Sequence, residues 1–337
     1  MAFGRPAYLH TRLWPPRWLL EARHVEVMQA LEDLSSSQGR LRGAIEALDS
    51  RVGHIEYRQA EVMSRIRRTQ ALAARAYEAT QRWPERLAAA REREDYELAY
   101  SDPDPLLSIP IPTYHSPDTL VDLALASVRA QTHENWEAIV VGDRCTDDTE
   151  RRVKAIGDPR IRWHNLPARE PDPDDPFERW AVKGTIPRAV GMDMARGRWI
   201  APLSHDDAWD PDHLEVLLAA AREHRAEIAY SRMRAVDSHS PDGPSEGSVG
   251  AWPPRSGQWN CQAAMFHAAL EFVRPDRACA LASEPNDWNL ARRAWQAGVR
   301  FHFVDRETAT LYVYPRWEKI SAEYHEMGLP LSAVAAP

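Results

Sequence analysis

The sequence predicts an α/β domain over residues 105–337, preceded by an α-helical coiled-coil region over residues 1–104. Three observations predict this organisation. Apolar side chains repeat in heptads between Val27 and Ile66, and a polar segment rich in proline and aspartate occupies residues 101–105. Beyond Leu106, short apolar segments alternate with stretches bounded by helix-capping residues, as in an α/β sheet.

The N-terminal region contains a seam of apolar residues separated by alternating gaps of four and three, with Gln38 and Gln59 as polar exceptions. β-Branched residues at three a positions and leucine at three d positions favour two parallel strands, which predicts a homo-oligomer formed through residues 27–66. The alternative is an amphipathic helix that lies on its own domain, since Gly39, Gly43 and Gly53 each cost about 1 kcal/mol of helix propensity. The a positions are Leu31, Gln38, Ile45, Val52, Gln59 and Ile66, and the d positions are Val27, Leu34, Leu41, Leu48, Ile55 and Val62.

A second helical stretch is expected at 71–96, with an interruption near Pro84. The segment Ser-Asp-Pro-Asp-Pro at 101–105 is predicted to be the linker between the two parts of the chain.

Alternating strands and helices follow this linker. Pro110 and Pro112 weaken the first strand, because proline donates no hydrogen bond to a sheet. Ser116 is expected to cap the first helix and Thr146 the second. The predicted elements are strand 107–111, helix 117–131, strand 137–141, helix 146–157, strand 160–164, helix 185–196, strand 198–203, helix 210–224, strand 227–232, a mobile loop at 237–257, helix 286–296, and strands 299–304 and 308–314.

The composition excludes several classes of protein. Lys and Arg total 42 against 50 Asp and Glu, so a net charge of −8 argues against binding to nucleic acid. Cys145, Cys261 and Cys279 are widely spaced and form no CxxC pair, which suits a reducing cytoplasm. No apolar run approaches the roughly 20 residues of a transmembrane helix, and the N-terminal segment lacks the apolar core of a signal peptide. We therefore expect a cytoplasmic protein without a transmembrane segment.

Polar residues directly after strands are the candidates for a binding site, because ligands of open α/β sheets bind at the carboxyl ends of the strands. Three such groups follow the predicted strands, and each has an alternative interpretation as rim packing or a helix cap. They are Thr113-Tyr114-His115, Gly142-Asp143 and Ser204-His205-Asp206-Asp207. In the last group, two adjacent carboxylates repel each other unless a cation or strong hydrogen-bond donors neutralise them.

Over residues 106–314 the chain resembles the family 2 glycosyltransferases, which have the GT-A fold, a Rossmann-like nucleotide-diphospho-sugar transferase domain. Three blocks carry the resemblance: SIPIPTYHSPDTLVDLALASVRAQTHENWEAIVVGDRCTDDT, PRAVGMDMARGRWIAPLSHDDAWDPDHLE and EPNDWNLARRAWQAG. The resemblance implies an inverting, metal-assisted transfer of a sugar from a UDP- or dTDP-linked donor to an acceptor hydroxyl.

The resemblance also implies a role for individual residues. Thr113 and Tyr114 would line the nucleoside pocket, Asp143 would contact the base, and Lys183 and Arg188 would lie near the base or diphosphate. Asp206 and Asp207 would bind Mn²⁺ or Mg²⁺, with Asp207 the first choice, and Asp287 would be the general base.

The chain also departs from the family pattern. Gly142 and Ser204 stand where many relatives carry aspartate, Ala189 replaces a frequent asparagine, and Asn286 replaces the usual glutamate. These departures keep open a catalytically degenerate scaffold or coiled-coil interaction protein. A nucleotidyltransferase is a weaker third interpretation, because no glycine-rich phosphate loop follows the first strand.

Overall fold

The computed structural model describes residues 17–237 and 245–313. The chain divides into two compact units, Met1–Ser64 and Arg65–Pro337. Residues 65–104 thus belong to the unit that contains the sheet, although the sequence had suggested a boundary at residue 104. Within the described residues, no helix is both long and apolar enough to cross a membrane.

The predicted N-terminal helix is present as α1, Arg17–Thr80. It contains the whole heptad seam and the first part of the second helical stretch predicted at 71–96. All ten apolar residues of the seam are 44–64% exposed. A helix ahead of the α/β domain is therefore confirmed, whereas its pairing with another helix stays a prediction.

Within the described residues the sheet has nine strands in the order β3-β2-β1-β4-β8-β6-β9-β5, with β7 paired to β6. Strands β1 to β4 are parallel, and β8 joins them antiparallel to β4. The strands are β1 Leu107–Thr113, β2 Trp136–Gly142, β3 Ile161–Asn165, β4 Trp199–Ile200, β5 Ala208–Trp209, β6 Ile228–Asp237, β7 Ser245–Val249, β8 Ala264–His267 and β9 Phe301–Val313. The parallel half of the sheet is the part that the sequence predicted most closely.

Pro110 and Pro112 lie in the middle of the sheet and explain why β4 is shorter than the predicted 198–203. The carbonyls of Ser108 and Pro110 still accept hydrogen bonds from Ala201 and Leu203, at 2.9 and 3.1 Å. The prolines have no N–H to return, so regular pairing between β1 and β4 stops at Ile200.

The helices of the second unit connect and cover these strands. They are α2 Trp83–Arg91, α3 Leu98–Ser101, α4 Pro117–Thr119, a π-helical segment Leu120–Leu125, α5 Ala126–Arg129, α6 Thr149–Ala155, α7 Pro176–Ala181, α8 Thr185–Asp193, α9 His213–Glu223 and α10 Asn286–Gln296, with 3₁₀ turns at Cys261–Ala263 and Arg277–Ala282. Helix α8 packs against β1 and β2.

The two predicted caps have different outcomes. Ser116 is the N-cap residue of α4, as predicted, but its hydroxyl donates to the Tyr114 carbonyl at 3.0 Å and makes no cap hydrogen bond. The prediction for Thr146 is wrong, because Asp148 is the N-cap residue of α6. The Thr146 backbone N–H donates to His115 Nε2 at 3.1 Å and thus holds the turn after β1.

The second half of the sheet differs from the predicted pattern. Strands β5, β7 and β8 and helix α7 were not predicted, because each is short. The two strands expected at 299–304 and 308–314 are one strand, β9, whose register against β6 shifts near Arg232. Strand β7 lies inside the predicted loop 237–257, and residues 238–244 and Tyr314 lie outside the described residues.

Residues 83–101 pack directly onto the sheet. Trp83 contacts Phe272 edge to face with ring centres 5.5 Å apart, and Tyr96 stacks on His267 at 4.4 Å. Leu87 and Ala99 are also buried. The segment before the predicted linker is therefore part of the hydrophobic core.

A buried carboxylate, Glu227, holds this segment in place. It accepts two hydrogen bonds from Arg91 at 2.7 and 2.9 Å, one from the Tyr96 hydroxyl at 2.6 Å and one from the Arg300 backbone at 2.8 Å. Burial by itself would raise the pKa of Glu227, but these hydrogen bonds outweigh it and hold that pKa below its usual value.

Candidate active site

A cavity of about 760 Å³ opens at the carboxyl ends of the parallel strands, where β1 and β2 end. Seven of the eight predicted site residues line it: Thr113, Tyr114, Asp143, Lys183, Arg188, Asp206 and Asp287. Asp207 is not among the lining residues. The structure therefore brings seven of the predicted residues together in one cavity, and the roles of all eight stay predictions.

One end of the cavity is formed by Tyr114, Asp143 and Arg169. The Arg169 guanidinium lies 4.4 Å from the centre of the Tyr114 ring, and its Nε donates to Asp143 Oδ2 at 3.1 Å. Its Nη2 donates to both carboxylate oxygens of Asp172 at 3.0 Å. A flat cationic group thus already stacks on the exposed ring and bonds to the carboxylate.

Sequence reasoning missed Arg169. It follows β3 by four residues, at the same edge of the sheet as Thr113 and Asp143. The rule applied to β1, β2 and β4 took only polar residues directly after a strand, and extending it to the whole loop after β3 would have included Arg169.

The departure at Gly142 has a steric explanation. A Cβ at this position would lie 2.7 Å from both Asn165 Oδ1 and Trp163 Cη2. Asn165 in turn bonds to the Cys145 backbone, accepting at 2.9 Å and donating at 2.8 Å. Side chains from β3 fill the space that an aspartate at 142 would need.

Arg188 is a buried cation in the cavity wall, with 7% of its surface exposed. Its Nη1 donates to the neutral Asn286 Oδ1 at 2.7 Å, and its Nε has no hydrogen-bond partner. The Asn286 amide also donates to the carbonyls of Ala181 and Lys183, at 2.8 and 3.1 Å. Asn286 thus fixes Arg188 without neutralising its charge, while Lys183 is exposed.

Asp206 and Asp207 are adjacent but have different surroundings. Asp206 is half-buried and lines the cavity. Asp207 is 1% exposed, and its Oδ1 accepts from the Tyr312 backbone on β9 at 3.2 Å. Ser204, which replaces a family aspartate, accepts a hydrogen bond from Gln262 at 2.6 Å.

The oxygen donors in the cavity fit a hard divalent cation only if a ligand supplies further oxygens. Across residues 17–237 and 245–313, no group of three His, Cys, Asp or Glu side chains could hold a metal ion. Mg²⁺ and similar ions are commonly held by one or two carboxylates, with substrate phosphates and water completing the shell. Asp206 provides such a carboxylate.

Asp287 provides a further carboxylate to the cavity, in the first turn of α10. The residue at the N-cap is Pro285, and Asp287 Oδ1 accepts from the Trp288 backbone at 2.8 Å. Asp287 thus accepts a hydrogen bond from the first turn of α10, and its role in catalysis stays a prediction.

Three buried polar atoms of cavity-lining residues have no hydrogen-bond partner. They are the hydroxyls of Thr113 and Thr185 and Nε of Arg188. Buried polar groups are nearly always paired in folded proteins, so such atoms indicate where a ligand or water bonds.

A comparison with models of known protein families finds one that matches the α/β domain. The model described as "Glycosyl transferase family 2" matches residues 108–170 and 187–267. These segments match glycosyl transferase family 2. The predicted resemblance to this family and the predicted GT-A fold class are thereby confirmed.

Curated relatives of this family match the same region. The chain is 35% identical over 135 residues to the succinoglycan biosynthesis protein ExoO of Rhizobium meliloti, covering 40% of this chain and 35% of ExoO. It is 28% identical over 137 residues to an Escherichia coli protein, UDP-Glc:alpha-D-GlcNAc-diphosphoundecaprenol beta-1,3-glucosyltransferase WfgD, covering 41% of this chain and 49% of WfgD. The chain therefore spans half or less of these two relatives.

Among solved structures, the chain is similar to residues 1–349 of S. aureus TarS in complex with UDP. The TM-score is 0.49 at 18% identity, covering 64% of this chain and 63% of TarS 1–349.

Proposed function

We propose that the chain is an inverting glycosyltransferase that moves a sugar from a UDP- or dTDP-linked donor to an acceptor hydroxyl, with help from a divalent cation. The observation that carries the proposal is a cavity in which the exposed ring of Tyr114, the buried cation of Arg188 and several carboxylates, Asp206 and Asp287 among them, meet. The match of the domain to this family supports the same reaction class.

The nucleoside end of the donor is assigned to Tyr114 and Asp143. The Tyr114 ring is 42% exposed and already stacks with a planar guanidinium, and a nucleobase is planar as well. The Asp143 carboxylate accepts a hydrogen bond from Arg169 and is able to accept one from a base N–H instead. Thr113 offers an unpaired hydroxyl beside them.

The diphosphate is assigned to Arg188, with Lys183 nearby on the cavity lining. Arg188 is buried and bonded to a neutral amide, so a phosphate oxygen would supply the missing counter-charge and accept from its Nε. Asp206, and Asp207 after a change in its hydrogen bonding, would hold Mn²⁺ or Mg²⁺. A bound cation would stabilise the negative charge of the departing diphosphate.

Asp287 is assigned the proton transfer. As the acceptor oxygen bonds to the anomeric carbon, the bond from that carbon to the phosphate oxygen breaks, and the diphosphate leaves with the electron pair. The acceptor proton passes to the Asp287 carboxylate. One displacement inverts the anomeric configuration.

The name of one relative favours uridine as the first nucleoside to test, because WfgD is described as a UDP-Glc-dependent glucosyltransferase. A scaffold without turnover would still bind nucleotide. The scaffold alternative was suggested by departures from the family pattern, and two of these have a structural explanation in this chain. The space beside Gly142 is filled by neighbouring side chains, and Asn286 donates to the Ala181 carbonyl.

The test has two parts. Thermal unfolding is followed with UDP, dTDP or GDP, with and without Mn²⁺, and a ligand at 100 times its Kd adds about 2.7 kcal/mol of stability. Release of UDP from UDP-glucose is then measured with water or simple sugars as acceptors. No stabilisation by any nucleotide contradicts the proposal, and metal-dependent stabilisation without turnover on any sugar donor favours the scaffold.

A further inference from the structure

The seam on α1 is a long row of exposed aliphatic side chains. Its ten apolar members are between 44% exposed, at Ile66, and 64% exposed, at Ile45. From Val27 to Ile66 the row extends about 60 Å along the helix. Soluble monomers rarely expose a contiguous apolar stripe of this length.

We propose that a second copy of this chain covers the seam and forms a parallel, in-register, two-stranded coiled coil over residues 27–66. Burying ten half-exposed aliphatic side chains on each helix would remove on the order of 1,500 Å² from water, which is within the range of stable interfaces. This inference is independent of the chemistry of the transferase domain.

The two polar seam residues specify the register. Gln38 and Gln59 both occupy a positions, three heptads apart. In a parallel, in-register pair each glutamine faces its own copy, and the two amides bond to each other. In an antiparallel pair an a position faces d positions, so each amide would meet leucine, isoleucine or valine without a partner.

Charges beside the seam agree with the same register. In a parallel pair the g position of one helix lies next to the e position of the following heptad on the other helix. Arg51 is at g and Glu56 is the e residue five positions later, so the dimer forms this pair twice. The remaining charged flanking residues face neutral ones: Arg42 faces Ser37, Asp49 faces Ala44, Arg58 faces Met63, and Arg65 faces Gln70.

The glycines of α1 lie outside the seam. Gly39 and Gly53 are at b and Gly43 is at f, so none leaves a hole between the two helices. An added Cβ at any of them meets no atom within 4 Å. They weaken the isolated helix but do not interfere with the interface.

Reciprocal charge exchange in the full chain tests the orientation. Arg51→Glu puts glutamate opposite Glu56 twice, and Glu56→Arg puts arginine opposite Arg51 twice. We expect each variant to raise the dimer dissociation constant on the order of 10-fold. Mixed in equal amounts with different affinity tags, the two variants should pair with each other well above the statistical proportion. Arg40→Glu and Glu32→Arg, at c and b, are the matched controls and should mix statistically.

Light scattering on the wild-type chain gives the oligomeric state. A monomer at micromolar concentration, a trimer, or statistical mixing of the two seam variants would overturn the proposal. The register has a separate check, since all three native cysteines are buried. Gln38→Cys should give a disulfide-linked dimer with oxidised glutathione, and failure to cross-link would contradict the in-register arrangement.

Discussion

Replacing Asp287 by asparagine separates its proposed chemistry from its part in the fold. The amide oxygen of asparagine still accepts from the Trp288 backbone, as Asp287 Oδ1 does at 2.8 Å. The negative charge in the first turn of α10 is lost, which costs about 0.3–1 kcal/mol of stability. An amide, however, takes up no proton near neutral pH.

The two effects differ enough in size to be told apart. Loss of a general base slows the reaction 10²- to 10⁴-fold, which is about 3–5 kcal/mol of barrier. We therefore expect Asp287→Asn to change the unfolding temperature by no more than about 4 °C and to bind nucleotide normally. Turnover should fall at least about 100-fold.

The measurement is the release of nucleoside diphosphate at saturating donor, with thermal unfolding on the same sample. Asp118→Asn is the matched control, because Asp118 is also the second residue of a helix behind a proline, lies outside the cavity and pairs with Arg152. Near wild-type turnover by Asp287→Asn would remove this residue from the reaction.

Three further predictions concern other carboxylates. Asp206→Asn should weaken nucleoside diphosphate binding mainly when Mn²⁺ is present, as measured by thermal shift, and equal weakening without metal would contradict a role in cation binding. Asp207→Ala should lower the unfolding temperature in the absence of any ligand, because it removes the buried acceptor of the Tyr312 backbone N–H; an unchanged temperature would argue against a structural role. The lowered pKa of Glu227 stabilises the folded state above the unfolded-state pKa of about 4.3, and this stabilisation is lost as pH falls through the lower folded-state pKa. Glu227→Gln should therefore make the unfolding temperature less dependent on pH below about 4.3. An unchanged pH dependence would refute this.

The sequence predicted the parallel strands and the cavity because both follow from local patterns. Strands β1, β2 and β3 were each found to within two residues, since buried parallel strands are short apolar runs bounded by turn residues. Asp143 and Asp206 were found because the ends of such strands converge on one edge of the sheet.

Long-range contacts decided what the sequence could not predict. Asp207 is buried because β9, more than 100 residues later, passes beside it. Position 142 accommodates only glycine because the side chains of Trp163 and Asn165 on the neighbouring strand β3 fill the space beside it. Strand β5 is only two residues long and exists through its pairing with β9, so no periodicity reveals it.

The hydrogen bonds around Glu227 determine where this chain can be shortened. The family match begins at residue 108, and a fragment starting there would lack Arg91 and Tyr96. Glu227 would then be a buried carboxylate deprived of most of its donors, a loss that costs about 3–5 kcal/mol when one partner of a buried pair is removed. Such a fragment would also uncover Phe272 and His267, the rings that Trp83 and Tyr96 now contact. A fragment that keeps these contacts has to begin ahead of Trp83, well before the region that sequence comparison recognises.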